Sequence, residues 1–288
     1  MRAIDVPTYN AQEVYQTCIN SISDEGLRDR LNLVTASIMA SANDYTQKAM
    51  TKQLFQIPPV DSDNDDIVVG AVTKKELKSV YSQHMVGRGK PARQIYDDIL
   101  DLAPLGKCPL CGVGVATTLD HYLPKSKFPT VSVLPVNLVP SCKDCNTGKS
   151  ADIATTAEEQ GLHPYFDHDY FITDQWLFAE VIQTNPVCIR FYVEPPREWD
   201  NVSQERVGSH FKDYNLASRF SLEVTNELAI LKDTLSKYMS MLGKEAVKQH
   251  LHIVATSHQG LHQNSWQTAL YQAVSSSEWF CDGGYAQI

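Results

Sequence analysis

Four cysteines in two Cys-x-x-Cys pairs carry the plainest chemistry in this chain. Cys108-Pro-Leu-Cys111 and Cys142-Lys-Asp-Cys145 are separated by 30 residues. Each pair fits a tight turn that presents two thiolates to one point, and two such turns complete a tetrahedral zinc site. Gly112 supplies permissive backbone directly after the first pair. Four sulfurs close the coordination sphere, so the expected zinc is structural. Cys18, Cys188 and Cys281 have no such partners and read as core or incidental residues. The total of seven cysteines is odd, and no apolar h-region follows Met1. Both features fit metal binding better than a disulfide framework.

Between the pairs stand Asp120 and His121, and Asn146-Thr147-Gly148-Lys149-Ser150 follows the second pair at an expected helix start. Asp120 and Asn146 offer oxygen ligands suited to a hard cation such as magnesium, which keeps waters and accepts phosphate oxygens. On a strand, His121 points to the opposite face from Asp120. It can then reach a water without occupying the metal, as a general base must. Lys125, Lys127, Lys143 and Lys149 surround these groups with donors for phosphates. The bland alternative is a zinc ribbon whose Asp and His only hydrogen-bond locally. A single histidine in such a place is structural more often than catalytic.

Taken together, the order CPLC, LDHYLPKS, VNLVP, CKDCNTGKS resembles the HNH endonucleases of the ββα-metal fold. The resemblance covers about residues 106–150. His121 matches the first His of the motif and Asn137 the middle Asn; Asn146 stands where the family more often has His. The HNH domain of RNA-guided CRISPR nucleases and a phage Holliday-junction resolvase are similar in having Asn there. The resemblance implies a one-metal nuclease using magnesium or manganese. Asp120 and Asn146 would hold the cation, and His121 would take a proton from the attacking water. Asn137 would brace His121 or its loop, and Lys149 would contact the phosphate backbone. The expected products carry 5′ phosphate and 3′ hydroxyl ends. One such domain cuts one strand, so a double-strand break needs two copies or two events.

The rest of the 288-residue chain must position these groups. Residues 1–70 hold 5 Lys+Arg against 10 Asp+Glu, residues 71–150 hold 11 against 6, and the remainder 9 against 18. A basic middle in an acidic chain is the footprint of a phosphate-binding site, though chance clustering on a solvated face gives the same pattern. The overall charge of −9 argues against a generic nucleic-acid binder. No run of 18 apolar residues exists, so no membrane span is expected, and the protein is expected in the cytoplasm.

Leu27, Leu31, Val34, Ile38, Ala42, Tyr45 and Ala49 form one helical stripe with Asp24 as N-cap. The acidic run Asp61 to Asp66 lacks the Gly and Glu of an EF-hand loop, since Asp66 and Val72 occupy those places, and reads as a solvated linker. Residues 73–103 read as two helices broken at Gly87 to Pro91. Trp176 to Ile182 and Val187 to Val193 read as strands around an Asn185-Pro186 turn. Val224, Leu228, Leu231, Leu235, Tyr238 and Leu242 mark a long helix whose stripe is a core face or a short coiled-coil seam. The expected class is α+β, with mostly helical flanks around a zinc-held ββα-metal core: 1–103 helical, 104–168 nuclease, 169–288 α+β.

Weaker candidates surround this core. His163 is expected to pack beside the nuclease rather than act. His258 and His262 are four apart, but Gly260 between them predicts a loop. Tyr165, Phe166, Tyr170 and Phe171 could stack bases, yet such clusters are usually core; Trp176, Trp199, Trp266 and Trp279 read as packing anchors. Large flanks without a readable motif imply regulation by a partner. Bacterial anti-phage systems of the Septu type look like this, pairing an HNH protein with an ABC-type ATPase. DNA and such an ATPase are therefore the expected partners, with self-association left open. The alternatives are a non-catalytic zinc module that binds nucleic acid or protein, and a stand-alone restriction-type nuclease, for which no helix-turn-helix reader is evident.

Overall fold

The apolar stripes fix where each helix lies and which face it buries. In the computed structural model, which describes residues 1–148 and 153–288, the chain is mixed α+β and predominantly helical. Three two-stranded antiparallel sheets occur among the described residues. The chain forms two units, Arg2–Asp167 and His168–Ile288, with Met1 belonging to the second.

The first unit opens with α1 (Ala11–Asn20), α2 (Glu25–Leu33) and α3 (Thr35–Met50). Asp24 caps α2, its carboxylate accepting from the Leu27 N–H at 3.0 Å. The stripe expected to be one helix is broken at Val34. The Val34 N–H reaches back three residues to Leu31 O, and the Thr35 hydroxyl donates to Asn32 O at 2.8 Å. These short-range bonds replace the i→i−4 ladder for one turn, and the same apolar residues stay buried on both sides of the break. A small hairpin, β1 (Ile67–Val69) with β2 (Val72–Thr73), leads into α4 (Lys74–Ser79). Thr73 and Glu76 cap α4 reciprocally. The helix continues as a π-helical turn, Val80–Met85, and α5 (Arg93–Leu100) follows the Gly87–Pro91 break.

The cysteine segment adds β3 (Thr118–His121), β4 (Leu138–Ser141) and the short α6 (Lys143–Gly148). Strands β3 and β4 pair antiparallel, with Asp120 opposite Val139 and His121 opposite Leu138. Their connection is long and punctuated by 3₁₀ turns at Pro129–Val131 and Pro135–Asn137, where the prolines preset φ.

One hydrophobic core joins this hairpin to the N-terminal helices. Val14, Cys18, Ile19, Leu31, Ile38, Leu77, Tyr81, Met85 and Ile99 pack with Leu119 and Leu138. Residues 2–103 therefore share a unit with 104–167. Each large apolar side chain buried here contributes about 1.5–3 kcal/mol.

The second unit begins with α7 (Tyr170–Thr173) and the hairpin β5 (Leu177–Ile182) and β6 (Cys188–Val193), within a residue of the expected bounds. Helices α8 (Asn201–Asp213), α9 (Leu216–Leu242), α10 (Lys244–Leu261), α11 (Trp266–Ser276) and α12 (Glu278–Cys281) complete it. The α9 stripe faces inward through Val224, Leu228, Leu231 and Leu235. It is a core face rather than a seam between chains, although Leu242 at its end is exposed. Trp176, Trp199 and Trp266 are buried, as packing anchors must be.

Leu138→Ala is expected to destabilise the protein by about 2–5 kcal/mol. Because the helices rest on the hairpin, the helical signal in far-ultraviolet circular dichroism should fall at lower urea together with the tertiary signal. A helical signal that kept its wild-type midpoint would contradict the shared core.

Candidate functional site

The four cysteine sulfurs lie within 4.8 Å of one another, and all four residues are buried. Cys111 and Cys142 have sulfurs 3.9 Å apart. A tetrahedral zinc with bonds near 2.3 Å requires sulfur–sulfur edges of about 3.8 Å, so the cluster fits the ion. Gly112 takes the left-handed conformation, φ +72°, that closes the first turn. Val113 and Gly114 then direct their N–H groups at the Cys111 sulfur, each at 3.5 Å. Without a cation the sulfurs compete for protons. Hydrogen bonding from Cys108 pulls the Cys111 thiol down to about 6, while hydrogen bonds to their neighbours push Cys108 and Cys145 far up. A divalent ion lets all four be thiolates together.

The two CxxC turns flank the hairpin. Cys142 directly follows β4, and Cys145 lies in α6. Along β3, Thr118 and Asp120 share the more open face while Leu119 and His121 are buried on the other. His121 thus takes the side opposite Asp120, as the strand period requires. Helix α6 carries Asn146 to the Asp120 side. Its amide nitrogen donates to the Thr118 hydroxyl at 2.9 Å and lies 3.5 Å from Leu119 O. A carbonyl can only accept, so the amide nitrogen must face it, and the amide oxygen points elsewhere. One carboxylate and one amide oxygen on one face form a donor set suited to a hard cation such as magnesium.

His121 is almost fully buried. Its Nε2 lies 2.8 Å from Ser132 O. A carbonyl accepts only, so Nε2 carries the proton and Nδ1 holds the lone pair. Burial, reinforced by the Lys125 charge, lowers the imidazole pKa to about 3, which keeps the ring neutral at neutral pH. The Tyr81 ring meets the imidazole edge-on, centroids 4.3 Å apart. Asn137, fully buried, staples the loop that follows. Its side-chain oxygen accepts from Leu123 N at 2.8 Å, and its amide nitrogen donates to Leu123 O and Val131 O at 3.1 Å. Val131 precedes Ser132, so Asn137 fixes the carbonyl that fixes His121. It braces the loop.

The nearby lysines have distinct partners. Lys127 pairs with Asp61, which its charge holds below the ordinary carboxylate range. Lys74 donates to Val60 O and Ser62 O, Lys78 to Asn64, and Lys75 pairs with Asp65 at 3.8 Å. The acidic run stays mostly exposed, as expected of a solvated linker, while these contacts strap it onto the basic segment. Lys125 lies over the Tyr81 ring, its Nζ 5.1 Å from the centroid. Lys143 begins α6. Lys149 lies outside the described residues. Sequence reading missed Tyr81, the Ser132 carbonyl and the strap. A backbone carbonyl carries no sequence signal, and Tyr81 reads as one more apolar position.

The weaker candidates resolve as packing. His163 is buried, with Nε2 3.1 Å from the Tyr45 hydroxyl, Nδ1 accepting from Tyr165 N, and the ring stacked on Tyr122. Tyr165 and Phe171 are core. His258 lies within α10, which runs through Gly260 to Leu261, so the expected loop is a helix. Packing of Val247, Leu251 and Ala255 outweighs the roughly 1 kcal/mol cost of one glycine near a helix end. His262 caps that helix with both ring nitrogens hydrogen-bonded. Cys18 and Cys281 are core, and Cys188 is exposed.

No protein-family model matches the chain, and no solved structure matches it. It is 31% identical over 301 residues to protein ea31 of Escherichia phage lambda, an alignment covering 98% of this chain and 100% of that protein. The chain belongs to the family of that phage protein.

Purified protein is expected to hold about one zinc per chain by elemental analysis, and Cys145→Ser should lose it together with cooperative unfolding. Full zinc retention in that variant would exclude the four-sulfur site. Asn137→Ala leaves the buried Leu123 N–H and C=O without a partner, while Val131 O keeps the Leu134 N–H, and should cost about 2 kcal/mol, measured by urea denaturation. A cost below about 1 kcal/mol would show that water replaces the staple.

Proposed function

We propose that this member of the ea31 family is a metal-dependent endonuclease of the HNH, or ββα-metal, type that hydrolyses DNA phosphodiester bonds. The observation that carries the reading is the state of His121: Nε2 is committed to the Ser132 carbonyl, which leaves a neutral imidazole with a lone pair at Nδ1. A structural zinc ribbon does not require that arrangement beside a carboxylate and an amide oxygen on one hairpin. The order of hairpin, helix and sulfur frame also supports it.

In this mechanism Asp120 and Asn146 would hold a magnesium or manganese ion, which supplies positive charge to the phosphate and the departing oxygen. His121 Nδ1 takes the proton of the attacking water as its oxygen bonds to phosphorus. The bond from phosphorus to the 3′ oxygen breaks, its electron pair leaves with that oxygen, and a solvent proton completes the 3′ hydroxyl. The phosphate stays on the 5′ end. Asn137 and Ser132 keep the imidazole aimed throughout. The four-sulfur site takes no part in the reaction and holds the hairpin against the helix. The phage relative fits a setting in the conflict between phages and bacteria. We extend the proposal to an effector of a defence system, regulated by an ABC-type ATPase.

A plasmid-nicking assay with magnesium or manganese tests the chemistry. Wild type should convert supercoiled DNA to nicked or linear forms, and EDTA should stop it. His121→Ala should lose about a hundred- to ten-thousand-fold in rate with zinc content unchanged. Equal cutting by His121→Ala would remove the general-base role. Folded, zinc-loaded wild type that binds DNA yet never cuts it, with or without the ATPase, would favour the binding-module reading. Without a partner, cutting should be slow and unselective; fast sequence-specific cutting by the chain alone would point to a restriction-type enzyme instead.

A further inference from the structure

Five lysines cluster around the loop after His121 and the helix α4 beneath it, and four of them are engaged within the chain. Lys74 donates to two carbonyls, Lys75 pairs with Asp65, Lys78 donates to Asn64 and Lys127 pairs with Asp61. Lys125 differs. Among the described residues, its ammonium has no ion pair and no hydrogen bond. It is half-buried, and it lies over the face of Tyr81, 5.1 Å from the centroid. The same Tyr81 ring abuts His121, and the Asp120 charge acts on Lys125. A partly buried cation without a hydrogen-bond partner is unfavourable unless an anion arrives to meet it. Tyr81 itself comes from the π-helical turn Val80–Met85, a local irregularity that often marks a functional position. Its hydroxyl donates to Leu119 O at 3.3 Å on β3, which ties the platform to the strand bearing Asp120 and His121.

We propose that Lys125 is a further catalytic residue, whose ammonium contacts a non-bridging oxygen of the scissile phosphate from the His121 side, and that Tyr81 is the positioning residue that holds it there. The inference rests on the nuclease reading above. Lys125 transfers no proton. It stabilises the charge that builds on the phosphate oxygens as water adds at phosphorus, from the side opposite the Asp120 and Asn146 face. The engaged lysines then serve the strap, and Lys125 serves the substrate. Cation–π attraction at a half-buried site orders the ammonium without neutralising it, so it can still exchange the ring face for an anion.

The test is single-turnover cleavage of plasmid by the full-length protein with manganese. Wild type, His121→Ala, Lys125→Met, Lys125→Gln and Lys125→Arg are compared. DNA affinity and zinc content are measured on the same samples. Lys125→Met should cut about a hundred-fold more slowly, with DNA affinity within about threefold of wild type because one phosphate contact adds little to non-specific binding. Lys125→Arg should recover a tenth or more of the wild-type rate. Should the Met variant lose zinc or cooperative unfolding, the Gln variant, which keeps a polar stem, gives the rate. Tyr81→Leu should lower the rate while leaving the pH profile of the residual activity at its wild-type position. If His121→Ala is inactive while Lys125→Met and Lys125→Gln keep rates within threefold of wild type, the role of Lys125 is overturned and the nuclease reading survives. If wild type itself never cuts, the nuclease reading falls and takes this inference with it.

Discussion

Four sulfurs within 4.8 Å of one another cannot all ionise without a cation, and the rest of the site follows from that constraint. The cysteines close two turns at the ends of one hairpin. A metal there would tie the turn before β3 to the start of α6, where Asn146 donates to the Thr118 hydroxyl. Among the described residues of α6, Cys145 is the one buried side chain.

The opposite face of the hairpin depends on a different force. Leu119 and Leu138 point into the core formed by the N-terminal helices. His121 shares that face, so it is held in a dry setting and kept neutral by burial. The alternation of a single strand thus sorts two settings: the Asp120 carboxylate toward the open side and a desolvated imidazole toward the core. Asn137 links the two ends of the long connection, so the imidazole is positioned through a loop rather than by direct contact.

Charge adds a further layer. The acidic run from Asp61 is exposed and also held to Lys127 and the α4 lysines, through the Asp61 and Asp65 carboxylates, the Asn64 amide oxygen and backbone carbonyls. Surface pairs of this kind are individually weak, and they are screened by salt. Their effect is selective rather than stabilising, since they occupy most of the local cations and leave Lys125 without an anionic partner among the described residues. The positive middle of the sequence is therefore smaller in effect than its residue count implies.

Much of this was legible in the residues alone. The four-cysteine cluster, able to hold a zinc ion, was readable because twin CxxC spacing leaves few other uses for four cysteines. The opposite facing of Asp120 and His121 followed from the two-residue strand period. Helices such as α9 and the strands β5 and β6 were marked by apolar periodicity, and Asp24 announced its cap. Tertiary structure decided the rest. Val34 breaks a helix whose stripe continues unbroken, because local hydrogen bonds at Asn32 and Thr35 leave no periodic trace. Gly260 sits inside α10 because packing outweighs a small backbone penalty. His163 is spent on Tyr45 and Tyr122. The Ser132 carbonyl sets the tautomer of His121, yet a carbonyl belongs to every residue type. Residue types and spacing determine which groups are available for chemistry; only the folded chain determines which of them already have partners, because pairing depends on neighbours far away in sequence.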